Sequence, residues 1–243
     1  MKKFPITFKN FGKSSILVEW PNEVKEEILT DIIRFKAILK TELNTDFELV
    51  PAYNSLAIID NTKSVNLSKL ESKLFSLYTK QTSIEKHKRT LWKLPVCYDS
   101  EFGIDLEEVA QNLKITTSDL IKMHTSHQYT VYGIGFLPGF MYLGGLPKKM
   151  ETKRRSTPRL NVEKGAVGLA GEQTGVYPQE SPGGWNIIGN CPIPMFNVKS
   201  KEPCFVSVGD KIKFEPITRA EYELHKIQGE VGIYKPEKTF LDA

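Results

Sequence analysis

Val24, Ile28, Ile32, Phe35 and Leu39 recur at spacings of four, four, three and four, so one apolar stripe runs along a helix that Pro21 and Asn22 open. Before it, residues 14–20 (SSILVEW) read as a strand. After it, residues 46–52 (DFELVPA) and 54–60 (NSLAIID) read as two strands joined near Tyr53. Leu67, Leu70, Leu74 and Leu77 mark a second helix, and residues 89–97 (RTLWKLPVC) a further strand. The resulting order, β-α-β-β-α-β, is the split motif of ferredoxin-like domains. Residues 4–9 suit an added edge strand, and the polar run from Gln81 to Arg89 is the expected linker.

Beyond the linker the pattern changes. Asp105 to Leu113 and Ser118 to His124 predict two short helices separated by Ile115-Thr116-Thr117. From Tyr129 onward, short apolar runs alternate with Gly and Pro turns: YTVYGIGF, AVGLAG, WNIIG, PMFNV and FVSVGDKIKF. Short strands so punctuated predict a β-barrel or sandwich. Residues 218–228 (TRAEYELHKIQ) predict a surface helix started by Thr218.

The glycines redirect attention to one stretch. Between Gly133 and Gly189 lie 12 of the chain's 17 glycines, interleaved with Phe136, Phe140, Tyr142, Tyr177 and Trp185. Glycine permits tight turns and close approach, so this stretch predicts a constructed surface, a binding site or an interface. Charge sharpens the point. Over the 243 residues, 33 Lys and Arg against 29 Asp and Glu leave a net charge of +4, too mild to imply nucleic acid by itself. From Lys148 to Lys164, however, seven basic residues face only Glu151 and Glu163. That local excess suits an anionic ligand or an acidic partner, unless it is simply a solvated loop.

Several chemistries are set aside on spacing. Gly12-Lys13-Ser14-Ser15 resembles the tail of a phosphate loop, but Thr7 stands where the first glycine belongs and a strand follows. The 105–126 region has helix-turn-helix spacing, yet Asp119 and Lys122 nearly cancel on its second helix, so a packing hairpin is expected. His87, His124, His127 and His225 show no zinc-binding spacing, and no metal is expected. Cys97, Cys191 and Cys204 are odd in number and form no CxxC pair, which indicates a reducing compartment. No signal-peptide-like or membrane-length apolar run occurs, and a soluble cytoplasmic protein is expected.

The remaining candidates lie near the glycine-rich stretch. Arg159 has a guanidinium that forks onto carboxylate or phosphate. Gln173 has an amide that both donates and accepts, suited to reading a lactam, carboxamide or acid. Loop bracing is the alternative for both. His124 immediately precedes the stretch and is either a proton carrier for the same site or a structural histidine at a helix end.

These residues fall within longer motifs. LPVCYDSEFGIDLEEVA at 94–110, HTSHQYTVYGIGFLPGFMYLGGLP at 124–147, TPRLNVEKGAVGLAGEQTGVYPQESPGGWNIIG at 157–189 and GDKIKF at 209–214 resemble the family of 5-oxoprolinase B subunits, also called the KipI or allophanate hydrolase subunit 1 family. GKSSILVEW and VPAYNSLAI carry the resemblance into the N-terminal half. The resemblance implies an α+β protein. A small ferredoxin-like domain over 1–88 would be followed by a cyclophilin-like β-barrel domain over 89–243. It implies a subunit that opens 5-oxoproline to glutamate with ATP, alongside subunits A and C, and is inactive alone. Related domains act in urea carboxylase, and one family member inhibits a sporulation histidine kinase; both stand as alternative readings.

The family's motif residues fall here on His124, Phe136, Pro138, Arg154, Arg159, Gln173, Tyr177, Pro182 and Trp185. Lys153 precedes Arg154 where the family often has proline, which makes Arg159 the more securely placed arginine. On this reading Arg159, with Arg154, binds the substrate carboxylate or phosphate. Gln173 reads the ring amide and His124 moves a proton. Tyr177 and Trp185 close the pocket against water, with Phe136 beside them.

Overall fold

The computed structural model describes residues 4–43, 46–62, 67–80 and 88–241. The chain divides into two compact units, 1–88 and 89–242. The first seven residues of the expected linker, 81–87, lie outside the described residues.

The first unit opens with β1 (Thr7–Asn10) and β2 (Ser15–Glu19), then α1 (Glu26–Glu42). β3 (Phe47–Ala52), β4 (Ser55–Asp60) and α2 (Leu67–Thr79) follow. The strands form an antiparallel sheet in the order β1-β2-β4-β3. Tyr53, at φ 51°, turns β3 tightly into β4. Alternation along β2 and β4 sends Ile16, Val18, Leu56 and Ile58 inward against Ile28, Ile32, Phe35 and Leu39 of α1 and Leu70, Leu74 and Leu77 of α2. α1 starts later than expected. Lys25 is extended (φ −132°, ψ 141°), which leaves Val24 outside the helix and 55% exposed.

One strand changes units. Residues 89–97 do not complete the first sheet; β1 occupies the edge position beside β2 instead. β5 (Arg89–Val96) pairs in parallel with β13 (Lys211–Pro216) and antiparallel with β14 (Glu237–Leu241) in the second unit. Trp92, Leu94 and Val96 are all buried there, and Asp210 accepts hydrogen bonds from the Thr90 N–H and the Trp92 indole, both at 3.0 Å.

The second unit continues with α3 (Leu106–Leu113), α4 (Thr117–Ser126), β6 (Tyr129–Ile134) and β7 (Met141–Gly144). β8 (Arg159–Val162), β9 (Ala166–Ala170), β10 (Gln173–Val176), β11 (Ser181–Gly183) and β12 (Asn186–Asn190) lead to β13, α5 (Arg219–Glu230) and β14. Eight strands form one sheet in the order β12-β9-β10-β7-β6-β13-β5-β14, while β8 and β11 form a separate ribbon. Beyond β5, Cys97 and Asn190 exchange both backbone hydrogen bonds at 2.9 Å. That bridge draws the β12 end of the sheet round to β5. Among the described residues no continuous ladder completes the circle, so the sheet is rolled and pinned and the expected closed barrel is not formed.

α3 and α4 are the expected packing hairpin. Leu106, Val109, Ala110 and Leu120 enter the core, and Thr116 caps α4 by accepting from the Asp119 N–H at 3.0 Å. α5 starts at Thr218, whose capping box with Glu221 satisfies two donors. The expected PMFNV strand is absent. Pro192 and Pro194 lack amide donors, and the segment closes as a loop through Asn197 N–H to the Pro203 carbonyl.

Candidate functional site

The arginine segment, 152–159, has little regular structure of its own and is tied down along its length. Thr152 bridges to Gly171 through the Gly171 N–H at 2.7 Å. The Lys153 carbonyl accepts from the Asn186 side chain at 2.9 Å, and the Arg155 N–H donates to the Gly184 carbonyl at 2.9 Å. Arg159 then begins β8 opposite Gly183. A Cβ at Gly183 would stand 2.3 Å from the Tyr177 hydroxyl oxygen, so only glycine fits there. The Pro-Gly-Gly-Trp-Asn motif therefore works as a clamp: its first glycine, Gly183, admits the Tyr177 ring and its asparagine holds Lys153.

The guanidinium groups differ sharply. Arg159 forks onto Asp105, donating at 2.9 Å to Oδ2 and 2.5 Å to Oδ1. Arg155 donates to Asp105 Oδ1 at 2.9 Å and to Glu108 at 3.1 Å. Arg154 is exposed and has no carboxylate partner among the described residues. Its guanidinium carbon lies 5.9 Å from the centre of the Trp185 ring, within cation–π range. The ranking expected from sequence is thus reversed. Arg159 has its fork filled, and Arg154 presents the available guanidinium.

Asp105 escaped the sequence reading, which took it only as the first residue of a short helix. It stands at the start of α3 but caps nothing with its side chain. The carboxylate accepts instead from two arginines and from the Ile187 N–H at 2.7 Å, while its own N–H donates to the Ile187 carbonyl at 2.9 Å.

The aromatic residues form a floor. Phe140, Tyr177 and Trp185 are 2–3% exposed and meet edge-on, with centroids 5.4 Å apart for Phe140–Trp185 and 5.5 Å for Phe140–Tyr177. Burial pushes the Tyr177 hydroxyl pKa up, with Arg154 and Arg159 pulling in the opposite direction. Tyr177 and Trp185 lie too deep to swing over a ligand, so the lid role expected for them is corrected to that of a support. Phe136 is the exposed aromatic. It is 62% accessible, stands 5.6 Å from the Phe140 ring, and has a φ of 67°, which non-glycine residues rarely adopt.

His124 and Gln173 part company. Gln173 is half-buried at the start of β10, facing Ala170 across a turn through Gly171, the residue bridged to the arginine segment. His124 is fully buried in α4. One ring nitrogen meets the Tyr98 hydroxyl at 2.7 Å, the other meets Thr174 Oγ1 at 2.9 Å, and its ring stacks on Phe214 at 4.5 Å. Burial holds its pKa down to about 3. Both nitrogens are committed and neither is exposed, so His124 is a structural residue here and the expected proton-carrier role is corrected.

Among the described residues, no three His, Cys, Asp or Glu side chains group as a metal set, and no helix is long and apolar enough to cross a membrane. The Gly12 turn joins β1 to β2 within a hairpin, without the helix a phosphate loop requires.

Residues 6–206 match the family "Carboxyltransferase domain, subdomain C and D", and the chain belongs to it. The B subunit of the Bacillus subtilis 5-oxoprolinase is 33% identical over 229 residues, 90% of this chain and 95% of its own length, which places this chain among the 5-oxoprolinase B subunits. The solved structure of TTHA0988 is 28% identical with a TM-score of 0.73. The match covers 84% of this chain and 40% of that one, so this chain spans less than half of TTHA0988. The K. lactis urea amidolyase, at 20% identity and a TM-score of 0.80, covers 97% of this chain with 16% of its own and shares the fold.

Proposed function

We propose that this chain is the B subunit of an ATP-dependent 5-oxoprolinase, opening 5-oxoproline to L-glutamate together with subunits A and C. The likeness to the Bacillus subtilis B subunit over 90% of this chain carries the reading. We read the first unit as ferredoxin-like with β1 standing in for the closing strand, and the second as a cyclophilin-like rolled sheet. Three unpaired cysteines fit a cytoplasmic protein.

A lactam is a weak electrophile, and phosphorylating its oxygen with ATP makes the ring carbon open to water. This chain's part is to recognise charge and shape. Arg154 holds the substrate carboxylate or the developing phosphate above Trp185, and Gln173 reads the ring amide. Arg159 braces the segment from below. Phe136 covers the ligand or meets a partner subunit. The nucleotide is held with the partner subunits: the Gly12 turn lacks the helix that a phosphate loop needs, and the arginine segment contributes the Arg154 guanidinium toward an oxyanion.

The deciding experiment is 5-oxoproline-dependent ATP hydrolysis by this chain alone and with purified subunits A and C. Activity only in the mixture, reduced at least about tenfold by Arg154→Ala, is the expected result. A folded, verified mixture without activity overturns the reading and turns attention to histidine-kinase inhibition.

A further inference from the structure

We propose that Asp105 is the positioning residue of this site: it gathers Arg155 and Arg159 so that Arg154 alone is presented, above Trp185, to an oxyanion. The inference rests on the site reading above and goes beyond it by assigning the residue that builds the site.

Three observations carry it. First, Asp105 sits where a helix cap belongs and abandons that role; its side chain bonds none of the α3 amides. Second, its carboxylate is filled. Oδ1 accepts from Arg155 at 2.9 Å and Arg159 at 2.5 Å, and Oδ2 from Arg159 at 2.9 Å and Ile187 N–H at 2.7 Å. These charge-assisted bonds in a residue 2% exposed are strong and directional. Third, its partners straddle the candidate ligand group. Arg155 adjoins Arg154, Arg159 closes the segment, and Ile187 lies two residues beyond Trp185. Three arginines within six residues repel one another, and one buried carboxylate neutralises part of that charge while leaving Arg154 outside the cluster. Asp105 touches no ligand in this arrangement; it acts through the arginines.

The test is Asp105→Asn, which keeps size and removes charge. Phenylglyoxal, which modifies accessible arginines, is applied to the full chain and each arginine is followed by mass spectrometry. Arg154 is expected to react first in the wild type, with Arg155 and Arg159 protected; in Asp105→Asn their rates rise about tenfold. In the assembled complex the variant is expected to raise KM for 5-oxoproline about tenfold and to leave kcat within about threefold, as loss of ground-state recognition requires. Glu108→Gln, at a 58% exposed side chain that touches only Arg155 in this cluster, serves as the control and leaves KM unchanged. If Asp105→Asn does not fold, the neutral triple variant D105N/R155Q/R159Q removes the buried charge imbalance and is expected to show the same KM rise. Unchanged KM in a folded variant, or unchanged protection of Arg155 and Arg159, overturns the proposal. If the wild-type complex fails to turn over 5-oxoproline, the functional reading falls by itself. Inorganic phosphate binding to the full chain then decides: weaker binding by Asp105→Asn upholds the positioning role, and equal binding overturns it.

Discussion

Each unit buries an aspartate against arginine, and the two pairs serve different ends. Asp31 in α1 accepts from the Trp20 indole at 2.8 Å, the Tyr78 hydroxyl at 2.6 Å and Arg34, its neighbour one helical turn away, at 2.8 Å. The cluster is closed by aromatic contacts among Trp20, Phe35 and Tyr78, and burial pushes the Tyr78 hydroxyl up to about 12. Asp105 reaches instead across 50 to 82 residues of sequence, to Arg155, Arg159 and Ile187, and its arginines lie beside an exposed third. A buried carboxylate–guanidinium pair thus says nothing about function by itself. The difference lies in whether the pair ends inside the core or organises groups that solvent and ligands can reach.

The largest expected effect breaks the Asp31 side of the comparison. Asp31→Ala strands Arg34 and the Trp20 indole, while the Tyr78 hydroxyl keeps its bonds to the Phe4 backbone, and is expected to destabilise the first unit by about 3–5 kcal/mol. Urea unfolding followed by hydrogen exchange in α1 measures it, with KM for 5-oxoproline unchanged in variants that retain folded protein. A KM effect as large as that of Asp105→Asn would erase the distinction.

His124 gives the next effect and concerns pH. Its folded pKa of about 3 lies below the ordinary value of 6.5, so the unfolded chain binds the proton more readily between those values. The stabilisation is complete above about pH 6.5 and is lost as pH falls toward 3, by an amount on the order of a few kcal/mol. His124→Gln should flatten the stability profile across that window in denaturant titrations; a profile as steep as wild type would remove His124 as its source.

Gly183→Ala is smaller. Its Cβ would collide with the Tyr177 hydroxyl, and the overpacking is expected to cost about 1–3 kcal/mol. Because the same glycine faces Arg159, turnover should fall with it. Thermal melts and assays of the complex, run together, would expose a neutral substitution.

Phe136→Gly is expected to change stability least, within about 1 kcal/mol, since relief of the left-handed backbone offsets the lost contact with Phe140. Activity or assembly of the complex should nonetheless fall. A variant with unaltered assembly and turnover would reduce Phe136 to a surface residue.

Much of this was legible along the chain. The period of Ile28, Ile32, Phe35 and Leu39 specified α1, the apolar runs around β2 and β4 marked strands, and Thr218 announced α5. The Gly-aromatic stretch drew attention to Arg159 and Gln173, and the family resemblance added Arg154 and Phe136. Two misreadings were systematic. Residues 89–97 form a strand as expected, but their partners, β13 and β14, lie more than 110 residues further on, and no local pattern names a partner. Tyr177, Trp185 and His124 carry polar groups suited to chemistry, and only packing shows that the sheet swallows them.

The sequence by itself determined the four longer helices and most of the strands among the described residues, because side-chain period and capping act over a few residues. It also determined that cations and aromatics would crowd one glycine-rich region. Only the tertiary structure decided which arginine is free, since that depends on Asp105 arriving from α3, and which aromatics are floor and which are exposed. Charge pairing and burial are set by neighbours in space, and those neighbours here stand tens of residues apart in sequence.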